Sequence, residues 1–304
     1  MMIPGFPKFK NLEFTDKKNI ESIISNYPPY SDFNFVSMWC WNTKEEVRVS
    51  KLNANLVVEF NDYITGEAFY SFIGGNQIND TISKVLDLSE GDLGRSKLKL
   101  VPEISVLGVN KDLFSIEEDV GNYDYLYDAN LLSSCRGKSM ETKRNLINRL
   151  IRHSPNIKSN QIDLLNLDTQ KKIFELLDRW EQNKIDLNKP VEKKNEAIAL
   201  KRLFSVIESI NLVGIGVFDE GTLIGFSINE ILLEPYAITH FAKSDSTFPG
   251  VYAFLMKETC SQILCYNRSV LNYEQDLGLS NLRFSKQSFR PINFFKKYVI
   301  YPKK

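Results

Sequence analysis

The chain has 304 residues, and its 38 Lys plus Arg are matched by 38 Asp plus Glu, so the formal net charge is zero. With 43% hydrophobic residues, 20 Phe and 13 Tyr, it has the apolar surface to bury a core, which excludes a disordered chain. Its length suits two ordinary domains or one large one, and its charge balance argues against a DNA-coating protein while leaving room for a local basic patch.

No stretch comes near the roughly 20 mostly apolar residues that a bilayer-crossing helix needs, so stable membrane insertion is not expected. The start, MMIPGFPKFK, lacks the apolar core of a secretory leader. Cys40, Cys135, Cys260 and Cys265 form no CxxC pair, which fits a reducing, cytoplasmic setting. With His153 and His240 the only histidines, no Cys/His metal site is expected.

In chain order, residues 16–26 read as a short helix stopped by Pro28 and Pro29. Strand patterns follow at 46–51, 55–60 and 67–73, and Gly74-Gly75 closes the last of them. A helix over 76–88, a strand over 98–109 and a strand over 123–127 complete the first half. Residues 128–152 read as mainly helical, as do 168–185 and 195–210, with Asn188-Lys189-Pro190 between the last two. A β-meander then runs through 211–218, 222–232 and 237–243, turning at Asp219-Glu220-Gly221 and at Glu234-Pro235. The loop SDSTFPG leads into an amphipathic helix, 251–264; a strand at 269–273, a short helix at 279–287 and an extended aromatic tail end the chain.

This order in the second half is that of the N-acetyltransferase-like (GNAT-like) fold, and the first half repeats a rougher version. The expected class is α+β: two tandem GNAT-like domains with mixed, mostly antiparallel sheets flanked by helices. The expected domains are residues 1–137 and 138–304, the second carrying the site.

Several motifs lack the context their chemistry needs. Arg136-Gly137-Lys138-Ser139 ends like a phosphate-binding P-loop, but Leu132 stands where its first glycine belongs. Gly214-x-Gly216 lies inside a strand and has no third glycine at dinucleotide-binding spacing. Cys260 and Cys265 fit one face of a packed helix. The run from Arg136 to Arg152 holds six cations against Glu141 alone. It fits a solvated basic helix face or an anion pocket. Helical periodicity places Lys143 within the inward apolar stripe and Arg144 at its edge, so both are candidates for binding an anionic substrate group.

Two further groups are candidates. His240, Lys243 and Asp245 end the third meander strand, just before the loop that in GNAT-like chains cradles a pyrophosphate. Here that loop has one glycine and a proline, and the coenzyme A motif is missing. Asn272, Glu274 and Asp276 follow a strand, and Arg283 and Lys286 lie three apart on the next helix. Mixed acids and bases there suit either a polar site or a structural ion-pair cluster. The tail from Lys286 onward interleaves six basic residues with aromatics, a pattern that fits a tRNA end or a charged final edge strand.

The segment NYEQDLGLSNLRFSKQSFRP resembles the C-terminal signature of the phosphatidylglycerol lysyltransferase C-terminal-domain family, which includes many uncharacterised bacterial proteins with tandem GNAT-like domains. YDYLYDANLLSSCRGKSMETKRN, ITHFAKSD and SDFNFVSMWCW are similar to other segments of that family. The resemblance implies transfer of an aminoacyl group from aminoacyl-tRNA to an amine or hydroxyl acceptor, a lipid or a small molecule. No cofactor is required; the donor is aminoacyl-tRNA or, alternatively, acyl-CoA. A ligand-binding protein without catalysis on the same fold is the third reading. Such chemistry needs a proton acceptor, for which Asp276 and Glu274 are the candidates, and anion binders, for which Lys243, Arg283, Lys286, Lys143 and Arg144 are candidates. It needs no covalent intermediate, in keeping with the lack of a nucleophile elbow.

Overall fold

A computed structural model describes residues 2–186 and 193–303 of the chain; the expected break at Asn188-Lys189-Pro190 lies outside them. In chain order the elements are β1 (Lys10–Asn11), α1 (Lys17–Ile24), α2 (Phe35–Trp41), β2 (Arg48–Leu52), β3 (Asn55–Asn61), β4 (Ala68–Ile73), α3 (Ile78–Leu93), β5 (Leu98–Pro102), α4 (Glu103–Val106) and β6 (Phe114–Glu118). There follow β7 (Asp124–Asp128), α5 (Ala129–Ser134), α6 (Glu141–His153), β8 (Lys158–Ile162), α7 (Leu167–Asp186), α8 (Lys193–Phe204), β9 (Leu212–Asp219), β10 (Thr222–Ile231) and β11 (Tyr236–Ser244). The chain closes with α9 (Val251–Leu264), β12 (Val270–Asn272), α10 (Ser280–Gln287), β13 (Asn293–Phe295) and β14 (Lys297–Pro302). Two mixed sheets flanked by helices form the expected tandem GNAT-like architecture.

The chain divides into two compact units. One comprises Met1–Asp124, Gln275–Leu282 and Phe294–Lys304; the other comprises Tyr125–Glu274 and Arg283–Asn293. In the first, the strand order is β1-β2-β3-β4-β5-β14-β6. Val57, Tyr70, Phe72, Ile82, Val85, Leu98, Val101 and Ile300 form its core, and each such side chain contributes about 1.5–3 kcal/mol on burial. The basic, aromatic tail read as an edge strand is instead β14, hydrogen-bonded to β5 on one side and β6 on the other. Its Lys297 is fully buried, with the Asp124 carboxylate 2.6 Å away and Asp32 also paired to it. Ser31 donates from its amide to Asp124 at 2.7 Å and from its hydroxyl to Gln275 at 2.8 Å. Burial alone would depress the lysine, but the charges of Asp124 and Asp32 outweigh it and hold the ammonium well above its ordinary range.

The second sheet has the order β13-β7-β12-β11-β10-β9-β8. Its centre is the meander that the apolar runs and turns predict. β9 and β10 join through Glu220-Gly221, both at positive φ (47° and 84°), the conformation a two-residue hairpin requires. β8 (sequence KSNQI) has no apolar alternation to announce it and pairs antiparallel to β9. Gly214 and Gly216 have a packing role: a Cβ on Gly214 would lie 2.7 Å from Leu164, and one on Gly216 would lie 2.8 Å from Ile162. Bare backbone on β9 lets those side chains close over the sheet. α9 lies against β9, β10 and β11 and carries α5 and α6 on its flank.

Candidate functional site

β11 pairs with β10 antiparallel and with β12 parallel, but the second pairing covers only Tyr236–Ile238. At Glu274, φ is +54°, and the chain turns away from the β11 edge while β11 runs on to Ser244. The orientation of the peptide groups in that splayed stretch follows from the ladder. The Asp245 amide donates to Ile224 O at 2.8 Å. Register is constant from Gly225↔Ser244 to Ile228↔Phe241, so amide direction alternates. The N–H groups of Ala242 and Ser244 therefore point away from β10, toward the edge that β12 has left.

His240 stands where this splay begins. Ile228 opposes Phe241 and Asn229 opposes Thr239, so His240 is the extra residue of a β-bulge. The bulge turns its imidazole to the face that carries Glu230. His240 Nε2 is 3.0 Å from Glu230 Oε2, and Nδ1 is 3.7 Å from Glu274 Oε1. Burial lowers the imidazole pKa, but hydrogen bonds and charge from Glu230 and Glu274 outweigh it and push the value up to about 9. At neutral pH the ring is an imidazolium clamped by two carboxylates. Sequence reasoning missed Glu230. Its signal was an acid continuing the apolar face Ile224-Phe226-Ile228 of β10, ten residues from a histidine on the adjacent strand.

The opposite face of β10 holds a buried polar chain. Thr239 Oγ1 donates to Asn229 Oδ1 (2.7 Å), Asn229 donates to Ser227 Oγ (3.0 Å), and Ser227 meets Thr259 of α9 (2.7 Å). Each group is satisfied, so the chain fixes the bulge and the seat of α9 without leaving an orphan.

Lys243 and Asp245 face α7 and α8. Lys243 Nζ is 2.9 Å from Glu196 of α8 and 4.0 Å from the Trp180 ring centroid. Asp245 accepts from the Thr247 amide (3.0 Å) and hydroxyl (2.7 Å) and from Asn183 Nδ2 (3.1 Å). The loop it organises also directs Phe248 N–H to Asp245 O and Val251 N–H to Phe248 O, while Pro249 has no N–H to offer.

The remaining predicted residues divide into groups. Asn272 is buried and its Oδ1 accepts from the Glu274 amide at 2.9 Å, shaping the turn that presents Glu274. Lys286 is buried, donates to Tyr273 O and lies over the Tyr125 and Tyr273 rings. Asn272, His240 and Lys286 thus each contact Tyr273 or Glu274, the two residues just after β12. Lys143 lies elsewhere: it donates to Ser288 Oγ at 2.6 Å and sits 3.8 Å from the Phe289 centroid. Burial and the nearby Arg290 charge lower its pKa to about 8. Lys143, Leu132, Cys135, Met140, Met256 and Phe289 border a gap there that is too narrow to admit water. Arg144 donates to Cys135 O (2.9 Å) and Gly137 O (3.1 Å), clasping a turn. Arg283 is half-buried on α10. Asp276, in the first unit, has no exposed surface and accepts from the Gly278 amide at 2.8 Å.

Among the described residues no group of His, Cys, Asp and Glu could hold a metal ion, and no helix is long and apolar enough to cross a membrane.

Comparison with known proteins places this geometry. A conserved protein of unknown function from Bacteroides thetaiotaomicron VPI-5482 superimposes with a TM-score of 0.81 at 22% identity, covering 99% of this chain and 100% of that one. The C-terminal domain of a putative lysylphosphatidylglycerol synthetase from Agrobacterium fabrum gives 0.63 at 14% identity, covering 94% and 91%. L-PGS from Bacillus licheniformis gives 0.61 at 12%, covering 99% and 94%. These likenesses show the fold. At the level of sequence, the profile described as phosphatidylglycerol lysyltransferase, C-terminal, matches residues 25–301, and the chain belongs to that family.

Proposed function

We propose that the chain transfers an aminoacyl group from aminoacyl-tRNA to an amine or hydroxyl acceptor, with the reacting carbonyl held at the splay of β11 and β12. The observation that carries this reading is the edge itself: the N–H groups of Ala242 and Ser244 turn toward a strand edge that begins beside Glu274 and His240. Attack on an ester carbonyl builds charge on its oxygen, and preorganised N–H donors stabilise that charge. Glu274, one-fifth exposed, takes the proton of the incoming nucleophile; the donor's 3′-oxygen leaves protonated, and one acyl bond replaces another. The His240 imidazolium, locked by Glu230, holds the Glu274 carboxylate in place. Asp276 is fully buried and organises the following turn, so of the two acids Glu274 is the one we assign as base.

The loop after β11 favours an aminoacyl ester over a coenzyme A thioester. A pyrophosphate cradle needs outward N–H groups. Here the Asp245 carboxylate takes the Thr247 N–H, those of Phe248 and Val251 go to carbonyls within the loop, and Pro249 has none. The test is Glu274→Gln together with a backbone ester at position 242, installed as lactic acid in place of alanine. Each lowers kcat about 10²-fold or more while donor affinity stays within about threefold. Unchanged kcat in both variants refutes the assignment.

A further inference from the structure

We infer that the outward face of α6 and the turn before it form a docking surface for the phosphate backbone of a structured RNA; the inference rests on the reading above, in which that RNA is the donor's tRNA body. Arg136, Lys138, Arg149 and Arg152 are all exposed, and none of them makes an ion pair among the described residues. They stand out in a chain whose cations and anions balance overall. Asn145, Arg149 and Arg152 recur at i, i+4 and i+7, so they line one side of a helix of about 20 Å. The opposite side packs inward through Ile147 and Leu150.

Two features make the surface a built one. Arg144 spans the carbonyls of Cys135 and Gly137 and so fixes the turn that carries Arg136 and Lys138. Gly250 fixes the helix against the site. A Cβ there would lie 2.4 Å from Leu146 O of α6, so the backbone of α6 abuts the loop that follows Ser244. The cationic stripe is thereby held beside the loop that continues from β11, the strand whose unpaired edge carries the proposed chemistry. Arginine and asparagine side chains suit phosphate oxygens, which accept hydrogen bonds. An anionic membrane surface would also draw such charges, but a bilayer-seated helix needs a broad exposed apolar face. On α6, Ile151 is the exposed large hydrophobic residue.

The experiment measures binding of unfractionated tRNA to the full chain across a salt series, for the native sequence and for Lys138→Gln/Arg149→Gln/Arg152→Gln. The slope of log affinity on log salt falls by about 2.7 in the triple variant, at about 0.9 per lost phosphate contact, and affinity at low salt drops about tenfold or more. Arg149→Lys/Arg152→Lys, which keeps the charge, retains the slope. Turnover of a 3′-aminoacyl trinucleotide, too short to reach α6, is unchanged in the triple variant. An unaltered salt slope overturns the proposal, as does loss of binding to phosphatidylglycerol vesicles with tRNA binding intact, which would assign the face to lipid. Failure of the native chain to turn over the trinucleotide overturns the catalytic reading instead, and the salt slope still decides the surface.

Discussion

His240 gives the account a quantitative handle through pH. Its imidazole titrates near 6.5 in an unfolded chain and at about 9 when clamped between Glu230 and Glu274. The folded state therefore binds one more proton than the unfolded state between those values. Stability from the clamp is fully present below pH 6.5 and is lost as pH rises through 9. The slope in the window is about −1.4 kcal/mol per pH unit, and the whole contribution is about 3 kcal/mol. Lys143 works in the opposite sense, because a lowered lysine pKa makes the folded state gain stability as pH rises above about 8. The quantity to measure is thus the difference between the native chain and His240→Gln, in which the Lys143 contribution cancels. Trp180 is the one tryptophan of the second unit, so urea unfolding followed by fluorescence in a Trp39→Phe/Trp41→Phe background isolates that unit. The stability difference shrinks by about 3 kcal/mol between pH 6.5 and 9. A difference that stays flat across the window would mean that the imidazole is not held charged, and the clamp would fail with it.

Other substitutions probe the frame around the site. Gly250→Ala puts a methyl group into the α6 backbone at a residue with φ +101° and costs about 2–3 kcal/mol, read by the same Trp180 unfolding. Lys297→Met leaves Asp32 and Asp124 buried together without their cation and costs about 3–5 kcal/mol, read through Trp39 and Trp41; Asp124→Asn in the same chain restores part of it.

The fold was legible wherever burial writes a pattern into the chain. β9, β10 and β11 are long runs buried on both faces, broken by a Glu220-Gly221 turn that needs positive φ, and α9 follows with apolar spacing. β8 was not legible, because a polar edge strand has no face to bury and so no pattern. The tail misled for a related reason. Alternating basic and aromatic residues look like a wet edge, yet Lys297 is buried by carboxylates drawn from Asp32 and Asp124, far away in the sequence. At the site, the sequence supplied residue types but not pairings. His240, Glu274 and Asn272 meet because β12 leaves β11 early, and the bulge that turns His240 onto Glu230 has no local signature. Helical periodicity put Lys143 on the inward stripe, where a lysine needs a partner or a polar cavity; it donates to Ser288 and lies over the Phe289 ring.

The measurement closest to the central claim is a transfer assay in which a pool of labelled aminoacyl-tRNAs, and separately labelled acetyl-coenzyme A, is offered with a cell-extract acceptor pool. The account predicts label moving from tRNA into a stable product, at least about 10²-fold less with Glu274→Gln, and none moving from the coenzyme. Transfer from acetyl-coenzyme A at the native rate in Glu274→Gln, with the tRNA ester left intact, would contradict it.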